Sequence, residues 1–229
     1  MNLSLKKENW YLELMIIVIA ILAINLSVAL IGFNNVLSII TGQMINLAGF
    51  VSLLFLARFH IKNNSNQLLY YFKNKLLISD LLLVALLIIS GRICYNILIE
   101  TEFVKLFNLD IFKNKQFFIS HLSRFEAIII FSISNAVLLL GVIAEELYFR
   151  CYLFDIQHKR FKNYTWIVNG FSWSIYHVFS LTNFLAFLPT CLMYSYIYQR
   201  RRNICITIFA HLINNFIAFY PMIKAYMTH

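Results

Sequence analysis

Residues 141–154 read GVIAEELYFRCYLF, a run in which Glu145, Glu146 and Arg150 stand among side chains otherwise suited to lipid. A charge near the centre of a membrane helix costs about 2.5–3.5 kcal/mol on insertion scales, so such a cluster needs neighbours that compensate it. The rest of the chain confirms that lipid is the environment at stake. Of its 229 residues 61% are hydrophobic and 13% charged, whereas a soluble domain is nearer half apolar and a quarter charged. The chain therefore reads as all-α, a polytopic transmembrane helical bundle. Apolar windows near 11–32, 36–57, 76–99, 127–156, 164–182, 184–199 and 203–220 predict about seven spans, given that roughly 20 residues cross a bilayer.

Charge fixes the expected orientation. Lys6 and Lys7 precede the first window, Arg58, Lys62, Lys73 and Lys75 follow the second, Lys159, Arg160 and Lys162 the fourth, and Arg200, Arg201 and Arg202 the sixth. These alternate segments share one side, which predicts a cytoplasmic N-terminus and an external C-terminus. Lys105, Lys113, Lys115, Arg124 and Lys224 fall on the other side, partly offset by Glu100, Glu102, Asp110 and Glu126. The formal charge of +9 is thus a matter of topology, and nucleic acid is not an expected partner. The lipid bilayer is.

Residues 100–125 are too charged to span. Phe103, Phe107, Ile111, Phe118 and Leu122 recur at near-helical spacing, so both an interfacial helix and an ordinary loop remain open. Two regions follow: 1–126, N-terminal membrane helices without motif plus this segment, and 127–229, a motif-bearing helical core. The first apolar run lacks a small-residue cleavage site and reads as a retained helix. Cys94, Cys151, Cys191 and Cys205 form no CxxC pair and read as small buried hydrophobes. Pro189 falls inside the sixth window and Pro221 is expected to end the seventh. Asp80 lies near a basic helix end and Arg92 is expected to snorkel outward.

The remaining intramembrane polar residues suggest chemistry. His177 stands in WSIYH (173–177), and His211 and Asn215 in HLINN (211–215). With helix ends near 157, 165 and 203, Glu145, His177 and Asn215 lie about 18 Å deep and His211 about 12 Å. Adjacent helical residues point about 100° apart, so Glu145 and Glu146 serve different purposes. Glu146 and Arg150 are i, i+4 with the acid first and read as a self-neutralising pair. Glu145 is then left to face the bundle interior, where Trp173 walls the same cavity as His177. An acid beside a histidine activates water, while a second histidine and an amide donate to a developing oxyanion. That inventory suits acyl hydrolysis, most naturally of a peptide. Glu145, His177 and His211 also have the types of a three-ligand zinc site with an open position.

At these residues the sequence resembles the CPBP family: the CAAX prenyl endopeptidases together with the bacterial Abi proteins linked to bacteriocin processing and immunity. The family pattern EExxxR, FxxxH and HxxxN/D on successive membrane helices reads here EELYFR (145–150), WSIYH (173–177) and HLINN (211–215). Trp173 stands where the family usually has Phe, and Cys151 where Gly is common. The resemblance covers about 127–220 and implies a multi-pass membrane endopeptidase of the CAAX-protease type acting on a peptide or protein at the membrane. It further implies that Glu145 and His177 activate water, that His211 and Asn215 hold the oxyanion, and that Glu146 and Arg150 support them. No cofactor is required in that scheme; zinc on Glu145, His177 and His211 is the alternative, and Asn215 is a better oxyanion donor than zinc ligand. A bacteriocin or signalling-peptide precursor is the implied substrate. A non-enzymatic immunity or scaffold protein is the rival reading, and a proton-coupled transporter is disfavoured by the lack of repeats.

The topology is directly testable. Reporters fused after residues 160 and 201 should be cytoplasmic, and one at the C-terminus external. An external reporter after 201 would contradict both the orientation and the shared depth.

Overall fold

The computed structural model describes residue 19 and residues 36–62, 71–72, 77–100, 122–177 and 181–227. Apart from Ile19, the predicted 11–32 span lies outside the described residues, as does most of 100–125. All regular structure among the described residues is helical. The helices are α1 (Val36–Lys62), α2 (Ile78–Ile99), α3 (Arg124–Glu146), α4 (Phe154–Phe161), α5 (Thr165–Tyr176), α6 (Leu181–Arg201) and α7 (Ile204–Met227). A π-helical segment, Leu147–Leu153, joins α3 to α4, and a 3₁₀ turn, Lys162–Tyr164, joins α4 to α5.

Local chemistry sets several boundaries. Ser123 begins α3 with a capping box: its Oγ accepts from Glu126 N at 3.3 Å, and Glu126 Oε2 accepts from Ser123 N at 2.9 Å. Two orphan backbone donors are satisfied reciprocally. Asp80 serves α2 in a similar way, accepting from Leu77 N at 2.9 Å. Three runs are long and apolar enough to cross a membrane: Val36–Arg58, Ile78–Leu98 and Arg124–Tyr176. The first two match the predicted second and third spans.

The later spans differ from expectation. The predicted 127–156 span begins at Arg124 and continues through the π segment to Phe161. The predicted 164–182 span is cut short, because α5 ends at Tyr176 after 12 residues. At about 18 Å it is shorter than the roughly 30 Å hydrocarbon core. A tightened last turn ends it, with His177 N donating to Ser174 O at 3.0 Å, three residues back. Pro189 lies within α6 as expected, but α7 runs through Pro221 to Met227.

Packing joins the helices around one core. α1 lies on α3 and the π segment, α2 on α6 and α7, and α5 pairs with α6. Leu53, Leu87, Ala144, Trp173, Tyr194 and Ile206 meet in that core. Leu82, Leu86 and Ile89 of α2 and Phe55 of α1 stay exposed, an apolar exterior suited to acyl chains.

Among the described residues, the basic segments 159–162 and 200–202 gather at one end. Arg201 pairs with the buried Asp80, and Arg202 Nη1 lies 3.1 Å from Asp155 Oδ1. Tyr71 donates to Asp155, and burial together with that carboxylate pushes its phenol above the ordinary range. Gln199 accepts from Trp166 N at 3.0 Å and donates to Asn163 O at 3.0 Å. Arg92 does not snorkel: its Nη2 donates inward to Asn214 O on α7 at 2.5 Å.

Small residues let membrane helices approach closely, and Gly170 of α5 is such a point. A Cβ there would stand 2.8 Å from Leu192 Cα, a backbone atom of α6 that cannot move aside alone. Gly170→Ala should therefore destabilise the fold by about 1–3 kcal/mol, the usual cost of overpacking. Thermal unfolding of purified protein in detergent measures this, and an unchanged midpoint would contradict the close approach.

Candidate active site

Glu145 and Glu146 are the last residues of α3, and Arg150 lies inside the π segment. In this segment Phe154 N donates to Phe149 O, five residues back, so the turn is wider than an α turn. Phe149 O also accepts from Asn169 Nδ2 of α5 at 2.8 Å. A side chain from a neighbouring helix thus supports the loosened backbone. Single π turns of this kind occur often at functional sites.

The adjacent glutamates enter two separate circuits. Glu145 Oε2 accepts from Trp173 Nε1 at 3.0 Å and lies 3.6 Å from His177 Nε2. His177 Nδ1 is 2.9 Å from Trp173 O. A carbonyl oxygen only accepts, so Nδ1 carries a proton, and Nε2 is the ring nitrogen that faces Glu145. The end of α5 makes this possible, since His177 N has turned to Ser174 O. The imidazole takes up the carbonyl that a continuing helix would give to that N–H.

Glu146, 1% exposed, faces the other way. Its Oε2 is 3.3 Å from Arg150 Nε, and its Oε1 is 3.0 Å from His211 Nδ1 of α7. Arg150 is fully buried and donates through Nη1 to Asn169 Oδ1 at 2.5 Å and Ser195 Oγ at 2.9 Å. Its guanidinium lies 4.4 Å from the centre of the Trp173 ring. One cation therefore ties the π segment to α5 and α6.

The Glu146–Arg150 pair is where helical spacing predicts it. His211 Nδ1 meets the same acid, Glu146, a contact that helical spacing alone did not give. Trp173, expected as a wall, is a hydrogen-bond donor. Asn215 lies one turn beyond His211 and is partly buried; among the described residues no hydrogen bond or ion pair joins its side chain to the cluster. Asn169 and Ser195 were not singled out in the sequence. An asparagine within TWIVNGFSWSIY was a usable signal, whereas serine is too common in membrane helices to flag.

Among the described residues no three His, Cys, Asp or Glu side chains gather as a metal would need. The three candidate ligands are divided, His177 beside Glu145 and His211 on Glu146.

Removing Arg150 should expose how much the cluster depends on it. Arg150→Ala leaves Glu146 buried without its guanidinium, a change worth about 3–5 kcal/mol when one member of a buried pair is lost. Glu145→Gln keeps an acceptor for Trp173 and should melt close to wild type. Equal melting of both variants would show that Glu146 does not depend on Arg150.

Residues 126–217 match the family model described as Type II CAAX prenyl endopeptidase Rce1-like. Neither a curated protein nor a solved structure matches the chain. The match runs from α3 into α7 and includes every residue of the two carboxylate circuits; α1 and α2 fall outside it. The model it matches is that of a protease family, and the apolar helices are those of a membrane protein. Residues 126–217 are thus similar to the Rce1-like type II CAAX prenyl endopeptidases, the family to which the three motifs pointed.

Proposed function

We propose that the protein is an intramembrane endopeptidase that hydrolyses a peptide bond near the cytoplasmic face, with water activated by Glu145 and His177. One observation carries this reading. Glu145 Oε2 and His177 Nε2 lie 3.6 Å apart, too distant for a direct hydrogen bond, and with the ring neutral both accept and are matched by a molecule that donates to both. Water is that molecule.

The chemistry follows from the groups in place. Water loses a proton to the Glu145–His177 pair as its oxygen attacks the carbonyl carbon. The carbonyl oxygen becomes an oxyanion and needs donors. With Nδ1 on Glu146, His211 donates through Nε2 only as the doubly protonated ring, and Glu146 is its counter-ion. Asn215, one helical turn further, adds its amide. Collapse of the intermediate breaks the C–N bond, and the proton held by the pair passes to the leaving amine. No metal enters this scheme.

The basic end that gathers 71, 77–80, 159–166 and 199–202 is the cytoplasmic one under the positive-inside rule. A bacteriocin or signalling-peptide precursor, presented at the membrane, is the substrate that suits this reading.

Comparing membrane peptidomes of cells carrying wild-type protein or Glu145→Gln identifies the substrate and tests the activity together. Purified Glu145→Gln and His177→Ala should be inserted but inactive. Asn215→Ala should lose about a hundredfold in turnover, as when one oxyanion donor is removed. Activity should survive exhaustive chelation. Loss on chelation with stoichiometric rescue by zinc would replace the metal-free scheme, and wild-type turnover by Glu145→Gln would remove the assignment of the base.

A further inference from the structure

Trp173 touches Glu145, His177, Arg150 and His211. Its indole N–H donates to Glu145 Oε2 at 3.0 Å, and its main-chain oxygen meets His177 Nδ1 at 2.9 Å. Its ring lies 4.4 Å from the Arg150 guanidinium, and its centroid is 5.1 Å from that of His211 and 5.5 Å from that of Tyr194. The side chain is 4% exposed, so these neighbours leave it little freedom.

The contacts differ in what they demand of the residue. Any amino acid supplies the main-chain oxygen. Any aromatic ring supplies a face for Arg150 and an edge for His211. Only the indole supplies a donor to Glu145, and the phenylalanine common in the FxxxH pattern has none. A carboxylate has two oxygens and a freely turning terminal torsion. A charge-assisted hydrogen bond to one oxygen removes that freedom.

We infer that Trp173 is a positioning residue: its indole N–H fixes the Glu145 carboxylate so that Oε2 stands opposite His177 Nε2, where both address one water. This inference rests on the endopeptidase reading for its catalytic consequence, while the hydrogen bond itself does not. The bond constrains the base before substrate arrives, so its loss lowers the rate of the chemical step and leaves substrate binding alone.

The test separates the N–H from the ring. In Trp173→Phe, and in protein carrying benzothienylalanine at 173, which keeps the bicyclic shape and replaces N–H by sulfur, kcat should fall about ten- to a hundredfold. That is the range of a lost hydrogen bond to a charged group. KM should be unchanged. Full turnover in the benzothienylalanine protein would overturn the inference and leave Trp173 a packing residue. A second readout needs no activity. Nitrogen-15 labelling of the indoles gives resonances for Trp10, Trp166 and Trp173, with Trp173 assigned by its loss in the Phe variant. Its N–H proton should move upfield in Glu145→Gln, where a neutral amide oxygen replaces the carboxylate, and the other two should stay. A Trp173 resonance indifferent to Glu145→Gln would overturn the inference even with the protease reading intact. Wild-type protein without peptidase activity would instead remove the protease reading, and the resonance alone would then decide whether the hydrogen bond exists.

Discussion

A guanidinium and a carboxylate buried side by side in a membrane bundle govern how this protein is assembled. Neither Arg150 nor Glu146 reaches water, and a lone charge in such a place is far more costly than a pair. The guanidinium engages more than its acid, however. Its Nη1 draws in Asn169 from α5 and Ser195 from α6, and its face lies on Trp173. The other oxygen of Glu146 draws in His211 from α7. Three later helices are thereby held in register with the π segment by polar contacts, which give position where apolar packing alone gives only proximity.

The same pair explains why two neighbouring glutamates are needed. Consecutive helical positions diverge by about 100°, so each acid meets a different set of neighbours. Glu146 takes the cation and one histidine; Glu145 takes the indole and the other histidine. One acid is consumed in assembly, and the second is left with an oxygen pointed at a ring nitrogen it does not bond directly.

Much of this could be read from the chain. Apolar runs of the right length marked α1, α2 and α3, and the basic loops anticipated which helix ends gather together. The i, i+4 rule gave the Glu146–Arg150 pair, and motif order brought Glu145, His177 and His211 into one neighbourhood. Other features had no pattern to reveal them. Hydropathy continued past residue 177, so nothing in composition said that α5 stops at Tyr176. The π segment keeps the spacing of EELYFR while changing its hydrogen bonds, which a helical wheel does not register. Which histidine serves which carboxylate depends on how helices distant in sequence are packed. Trp173 was visible as an aromatic, but the use of its N–H depends on where Glu145 lies.

The stop in α5 links secondary structure to protonation. His177 carries a proton on Nδ1 because its own backbone N–H has gone to Ser174 O and left Trp173 O to the ring. Were α5 one turn longer, the N–H of residue 177 would bond to Trp173 O in the ordinary i→i−4 manner. The imidazole would then lose the acceptor that holds its Nδ1 proton, and Nε2 would no longer be fixed on the side of Glu145. Helix length here acts as a proton address: a substitution several residues away that extends or frays α5 changes which nitrogen is basic without touching either ring.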